Sequence, residues 1–190
     1  MISLPLETPP PVFDSIEDLL ADVRAGRPII LTDDEDPEGR GDLMLAAAQA
    51  TTVNVNFLLK YARGLVCVPI TTDHAADLGL GGMVAENRQH LRTDFTVSVD
   101  ARDGITTGIS SEDRARTIRL LASAHTDRDE LVQPGHIFPL RAKPGGVLQR
   151  SGRTEAAVDL ARLAGEVQVI EGDVSPAHAT VEGAGDGSSR

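Results

Sequence analysis

Residues 149–165, QRSGRTEAAVDLARLAG, predict a loop that turns into a helix. Thr154 is a suitable N-cap because its hydroxyl can accept a hydrogen bond from a backbone N–H of the first turn. The apolar residues that follow have helical spacing, and the final glycine is a typical stop. Just before the cap, Arg150, Gly152 and Arg153 combine two guanidinium groups with the free amides of a helix start. This combination predicts an anion site, with phosphate as the natural ligand; the alternative is an ordinary capped helix with two solvated arginines.

The composition indicates a single folded domain that binds a small molecule. The chain has 190 residues, of which 41% are hydrophobic, so it can form one buried core. The net charge of −11 and the aromatic content of 3% argue against nucleic-acid partners and against an anionic membrane surface. We expect a flexible arm over residues 1–12, one domain over 13–171 and a disordered tail over 172–190.

The chain has one cysteine, Cys67, which lies in an apolar run and is typical of a buried thiol in a reducing compartment. The N-terminus is proline-rich and lacks a secretory signal, and no apolar run is long enough to cross a membrane. We therefore expect a cytoplasmic protein with no membrane partner.

Helical and strand patterns interleave irregularly, which predicts a mixed α/β domain rather than a strict parallel array. Further helices are predicted over residues 14–25, 43–50, 51–63, 71–78 and 110–124. Strands are predicted over residues 28–32, 65–70, 94–100, 136–142 and 167–171. Three details accompany these predictions: a capping box of Asp14 with Glu17, a helix cap at Asp42, and an edge strand or bulge at Pro139.

Residues 33–42, DDEDPEGRGD, place six acidic residues among ten after a predicted strand. The default interpretation is a solvated acidic loop. A calcium loop is a weak alternative because Leu45 stands where a bidentate glutamate is needed. The third interpretation is a loop whose carboxylates bind magnesium or act in catalysis.

Four segments taken together resemble one enzyme family. They are LTDDEDPEGRGDLMLAAAQAT (31–51), GLVCVP (64–69), DFTVSVDARDGITTGISSEDRARTI (94–118) and PGHIFPLRAKPGGVLQRSGRTEAAVDLARLAG (134–165). In this order and with these gaps they resemble 3,4-dihydroxy-2-butanone-4-phosphate synthase, a lyase of the riboflavin pathway. The resemblance implies a mixed sheet flanked by helices and a homodimer with active sites at or near the subunit interface. It also implies a Mg2+-dependent reaction that rearranges ribulose 5-phosphate, expels formate and leaves a four-carbon phosphate.

The resemblance assigns roles to individual residues. The catalytic candidates are Glu38, Asp42, Thr107 and His136, with Glu38 also a metal ligand. The candidates for binding substrate or its phosphate are Asp33, Cys67, Arg150, Gly152, Arg153, Thr154 and Glu171. Simpler interpretations remain open for three of them. Asp42 can be only a helix cap, Cys67 a packing thiol and His136 a core histidine.

The active-site segments also depart from the family pattern. Arg153 stands where the family has a metal-binding histidine, and Pro37, Gly39 and Arg40 alter the acidic loop. Because a guanidinium group has no lone pair to donate, we expect weakened magnesium binding at Arg153. The sequence therefore predicts an altered synthase that acts on ribulose 5-phosphate or a related sugar phosphate, and it leaves open a metal-independent reaction or only part of the family reaction. The alternatives are a different reaction in secondary metabolism or a non-catalytic paralogue that binds a ligand or dimerises.

Overall fold

The computed structural model describes residues 13–33, 40–62, 64–165 and 169–174. The predictions for the arm over 1–12, for most of the acidic loop including Glu38, and for the tail beyond residue 174 lie outside the described residues. The helices are α1 (Ile16–Arg24), α2 (Thr52–Tyr61), α3 (Thr72–Asp77), α4 (Ser111–Ala122) and α5 (Arg153–Ala164). The strands are β1 (Ile29–Thr32), β2 (Gly41–Ala46), β3 (Cys67–Ile70), β4 (Val99–Ala101), β5 (Leu131–Arg141) and β6 (Val169–Val174). The predicted mixed α/β class is confirmed.

The six strands form one sheet in the order β1-β2-β6-β3-β5-β4. β3 and β5 are parallel, and the other neighbouring pairs are antiparallel. The edge position predicted from Pro139 is wrong, because β5 lies between β3 and β4. Phe138 donates its N–H to the carbonyl of Val66, the residue before β3, at 3.1 Å, and Ala142 donates its N–H to the carbonyl of Ile70, the last residue of β3, at 2.9 Å. The N–H groups that point from β5 towards β3 belong to even-numbered residues. The missing N–H of Pro139 therefore does not interrupt the hydrogen bonds between these two strands.

The helix predicted over residues 43–50 with Asp42 as its cap is wrong. These residues begin as strand β2, which is paired with β1 on one side and with β6 on the other. Leu43 and Leu45 pack in the core that contains α2 and α4, while Met44 and Ala46 pack against α1 and α5. Because β2 is buried on both faces, its sequence lacks the alternation that marks a half-exposed strand.

Helix starts follow the sequence more closely than strand limits do. Thr51, Thr71 and Ser110 cap α2, α3 and α4 as their patterns indicate. The predicted capping box at Asp14 is displaced, since Ser15 accepts the Asp18 N–H at 3.2 Å and caps α1. The strand predicted over 94–100 is confirmed only in part, as isolated bridges at its start and β4 at its end. β5 begins earlier than predicted, at Leu131, and β6 extends beyond residue 171 to Val174.

Candidate active site

A cavity of about 770 Å3 lies beside the start of α5. It is walled by predicted site residues from four parts of the fold: Asp33, Asp42, Cys67, Arg150, Gly152, Arg153 and Thr154. Arg40, Leu65, Leu140 and the segment 89–95 complete much of the wall. The strand order explains the assembly, because β2, β6 and β3 are neighbours and bring Asp42 and Cys67 under the first turn of α5.

The first turn of α5 begins two residues earlier than the sequence predicts. Gly152 is the N-cap, with extended backbone angles and a carbonyl that accepts the Ala156 N–H at 3.0 Å. Thr154 is therefore not the cap but a buried residue inside the first turn. A Cβ at Gly152 would lie 2.4 Å from Oε2 of Glu155, so a glycine is needed here for close packing. The helix consequently opens with no capping side chain over its amides.

Arg150 forms a fixed part of the cavity wall. Its Nη1 donates to both carboxylate oxygens of Glu155, at 3.2 and 3.1 Å, and its Nη2 donates to the Leu91 carbonyl at 3.0 Å. Glu155 is fully buried and also accepts the Lys143 N–H at 2.9 Å. The predicted phosphate ligand thus lies at the cavity, with much of its guanidinium group engaged by the fold.

Arg153 presents a second guanidinium group to the same cavity. Its Nε lies 2.7 Å from Oδ2 of Asp42, and the two side chains are only 26% and 9% exposed. Asp42 reaches this partner because it shares a strand face with Met44, the face that packs against α5. The ion pair joins strand β2 to the first residue of α5 and places fixed positive charge beside the helix amides.

The described part of the cavity does not fit a divalent metal ion. No group of three or more His, Cys, Asp or Glu side chains among the described residues is arranged to hold one. The Asp42 carboxylate is bound to a guanidinium group, which cannot act as a metal ligand. Glu38, the other predicted ligand, is outside the described residues.

Thr107 and His136 are not part of the cavity wall. His136 lies on β5, where its Nδ1 is 2.7 Å from Oδ2 of Asp100 and its N–H donates to Oδ1 at 2.9 Å. Gly108 packs against this pair, since a Cβ there would lie 2.7 Å from Nδ1 of His136. By the alternation along β5, His136 lies on the same sheet face as Leu140, which does line the cavity. The chain therefore forms two separate groups of predicted catalytic residues on one side of the sheet.

Asp113 shapes the loop that carries Thr107. Its carboxylate accepts the Thr106 hydroxyl at 2.8 Å, the Thr106 N–H at 3.1 Å and the Gly108 N–H at 3.0 Å. The Thr106 hydroxyl is the main reason that the pKa of Asp113 is lowered; the two backbone N–H groups and Ser110 act in the same direction, and burial opposes them. An ionised carboxylate at the start of α4 thus holds the loop in place.

The sheet also determines where Glu171, a predicted site residue, and Asp100, which was not predicted, lie. Glu171 lies in β6, opposite Met44 on β2 and Cys67 on β3. Asp100, which holds His136, was not singled out from the sequence. A carboxylate at the end of a strand just before a Gly/Thr loop was the signal available, but pairing it with His136 required the sheet register.

The sequence matches the family model described as 3,4-dihydroxy-2-butanone 4-phosphate synthase over residues 17–172. The chain belongs to this family. It is 56% identical over 153 residues to a riboflavin biosynthesis protein RibBA of Nocardia farcinica, covering 80% of this chain and 37% of that protein. It is 51% identical over 153 residues to a 3,4-dihydroxy-2-butanone 4-phosphate synthase of Pseudomonas aeruginosa, covering 80% of this chain and 42% of that protein. The chain thus spans about two fifths of the length of these relatives.

Solved structures of the family have the same fold. A 3,4-dihydroxy-2-butanone 4-phosphate synthase in complex with two magnesium ions superposes with a TM-score of 0.82 at 40% identity, covering 85% of this chain and 76% of the other. The Candida albicans synthase superposes with a TM-score of 0.79 at 41% identity, covering 85% and 80%. The fold and the family that the sequence motifs predict are both confirmed.

Within the part of the chain that the structure describes, no helix has the length and apolar character needed to cross a membrane.

Proposed function

We propose that this chain is a lyase that converts ribulose 5-phosphate into formate and 3,4-dihydroxy-2-butanone 4-phosphate. The five carbons of the substrate divide into one in formate and four in the phosphorylated product, with no oxidant or reductant required. Membership of the synthase family supports the reaction. The observation that carries the proposal is the cavity at the start of α5, where helix amides and arginines meet carboxylates within a volume suited to a small substrate.

The phosphate binds at the first turn of α5. The uncapped amides and the positive end of the helix dipole attract an anion. Arg153 adds charge next to these amides, while Arg150 is held rigid by Glu155 and forms the wall. This arrangement directs the sugar carbons towards Asp42 and Cys67 along the rest of the cavity.

We also propose that the Arg153 guanidinium takes the place of a divalent metal ion. A fixed cation in a partly buried site stabilises the oxyanion of an enediolate as negative charge develops on a carbonyl oxygen. Asp42, 2.7 Å from Nε of Arg153, is then the carboxylate nearest to that charge and exchanges a proton with the substrate. The ion pair of Arg153 with Asp42 supports this proposal.

The chain acts as a homodimer in this proposal, with Thr107 and His136 serving the cavity of the second copy. Both residues lie outside the cavity of their own chain. Each of the two groups of predicted catalytic residues has an exposed apolar side chain beside it: Leu65 lines the cavity, and Ile109 follows Gly108 in the chain. A two-fold dimer would bury these side chains and bring each loop to the opposite cavity.

Isothermal calorimetry with ribulose 5-phosphate tests the binding site. Arg153→Gln should weaken binding about tenfold or more, because it removes one charge-assisted contact worth about 1.5–3 kcal/mol. Arg162→Gln is the matched control, since it removes an exposed arginine from the last turn of the same helix and should leave the affinity unchanged. Equal affinities for both variants would contradict the proposed phosphate site.

Product analysis separates the proposed lyase from its alternatives. Formate together with a four-carbon phosphate supports the full reaction. Consumption of ribulose 5-phosphate without formate would restrict the chain to an early step such as enolisation or dehydration. Binding without turnover would identify a non-catalytic ligand-binding member of the family.

Mixing inactive variants tests the shared active site. Asp42→Asn and His136→Ala should each be inactive alone, since each copy lacks one group from every site. After mixed refolding in equal amounts, half of the dimers are heterodimers with one intact site, so about a quarter of the wild-type activity should return. No recovery, or a monomer by light scattering, would contradict the dimer.

A further inference from the structure

His136 is held by a single buried carboxylate, which contacts it at two points. Oδ1 of Asp100 accepts the backbone N–H of His136 at 2.9 Å, and Oδ2 lies 2.7 Å from Nδ1 of the ring. The Asp100 side chain is 8% exposed, whereas that of His136 is 38% exposed. The carboxylate thus fixes both the backbone position and the ring orientation of a half-exposed imidazole.

This contact decides which ring nitrogen carries the proton. An ionised carboxylate is only an acceptor, so Nδ1 must be the donor in the neutral ring. The lone pair is then on Nε2. No described residue forms a hydrogen bond with Nε2, so that nitrogen remains available for a substrate.

Two glycines allow the backbone to lie close to the pair and to β4. Gly108 has a φ of 84°, and a Cβ there would lie 2.2 Å from Oδ2 of Asp100. On the other side, a Cβ at Gly135 would lie 2.0 Å from the Val99 carbonyl carbon, and its N–H donates to Ser98 Oγ at 3.1 Å. Both glycines allow a backbone approach that any other residue would block.

A positively charged residue on α4 interacts with the carboxylate of the pair. Arg114, on α4, interacts electrostatically with Asp100. Burial lowers the pKa of Arg114, and the negative charge of Asp100 opposes that lowering. Asp113, also on α4, binds the same loop, since its carboxylate accepts hydrogen bonds from the Thr106 hydroxyl and from the Thr106 and Gly108 N–H groups.

We propose that Asp100 is the positioning residue that holds His136 with its Nε2 lone pair facing outward, so that Nε2 accepts a proton from the substrate. The proton passes from a substrate carbon or hydroxyl to Nε2, giving an imidazolium whose other N–H remains bound to Asp100; it returns to the product in a later step. This inference rests on the proposed function for the reaction, but the tautomer is a property of the protein alone.

Nitrogen-15 NMR of the ring tests the tautomer without substrate. In the wild-type protein, Nδ1 of neutral His136 should carry the hydrogen and Nε2 should have the chemical shift of an unprotonated nitrogen. In Asp100→Asn the side-chain amide can still accept the His136 N–H while its NH2 group faces Nδ1, so the hydrogen should move to Nε2. A wild-type ring with its hydrogen on Nε2 would overturn the proposal even if the variant does not fold.

Measurements of kcat and KM then test whether Asp100 positions His136 for catalysis or only supports the fold. Asp100→Asn should lower kcat about 100-fold or more, as expected for a general base in the wrong tautomer, with KM within about threefold of wild type. Asp103→Asn, an exposed aspartate three residues along, is the control and should match wild type. A kcat within threefold of wild type in Asp100→Asn would refute the role. If the wild-type chain does not turn over ribulose 5-phosphate, the proposed function fails, while the nitrogen shifts still decide the placement of the proton.

Discussion

Removal of the Glu155 carboxylate should destabilise the protein strongly, because this group connects the start of α5 to two other segments. Glu155→Ala removes the acceptor of the Lys143 N–H and of Nη1 of Arg150, while Nη2 keeps the Leu91 carbonyl. Breaking a buried ion pair from one side costs about 3–5 kcal/mol. Arg150 is 29% exposed, so water recovers part of its interaction. We therefore expect a loss of about 3–4 kcal/mol, including the unsatisfied N–H.

Urea unfolding and thermal melting measure this loss. For a chain of this size, about 3–4 kcal/mol corresponds to a fall in Tm of roughly 10 °C. Glu86→Ala is the control because Glu86 forms an exposed pair with Arg88, with side chains 71% and 82% exposed, and it should cost at most about 1 kcal/mol. Glu155→Gln, which keeps an acceptor for Lys143, should lie between the two. If Glu155→Ala were no less stable than Glu86→Ala, the carboxylate would not organise the helix start as described.

Three further substitutions test other parts of the account. The pKa of Asp113 is lowered in the folded state, so its ionised carboxylate stabilises the fold above the ordinary aspartate pKa. This stabilisation is lost as the pH falls through the pKa of the folded state. In urea titrations, the stability advantage of wild type over Asp113→Asn should therefore shrink below about pH 4. Gly108→Ala should disturb His136 and reduce kcat about tenfold or more in the formate assay, since its Cβ would collide with Asp100. Leu45→Ala should cost about 2–5 kcal/mol in urea unfolding, whereas Ile30→Ala on the half-exposed edge strand should cost much less.

Local chemistry in the sequence was sufficient to predict the starts of α2, α3 and α4, whereas the predicted caps of α1 and α5 are displaced by one and two residues. A threonine or serine with a suitable third residue determines α2 and α4, because the cap is formed within one turn of the chain. Strand β2 could not be predicted in this way. Its LMLA run is apolar on both faces because helices cover both sides of the sheet, and only the tertiary structure distinguishes it from a short helix.

In the candidate site, too, features formed by residues close in sequence were predictable, and features that depend on the tertiary structure were not. Arg150, Gly152 and Arg153 were predicted because a helix start and its neighbouring charges are close in sequence. The Arg153–Asp42 ion pair joins residues far apart in the chain, so its geometry was not predictable from either segment. The contact of Asp100 with His136 likewise depends on the pairing of β4 with β5 and on the register shift between Val99 and Asp100.

The most direct test of the central claim is formate release from uniformly carbon-13-labelled ribulose 5-phosphate, followed by NMR in excess chelator. We predict labelled formate and a four-carbon phosphate in equal amounts, at a rate that the chelator does not change and that Arg153→Gln abolishes. Formate production that stops in chelator and returns with Mg2+ would contradict the assignment of the metal's role to Arg153. The absence of labelled formate under every condition would contradict the lyase itself.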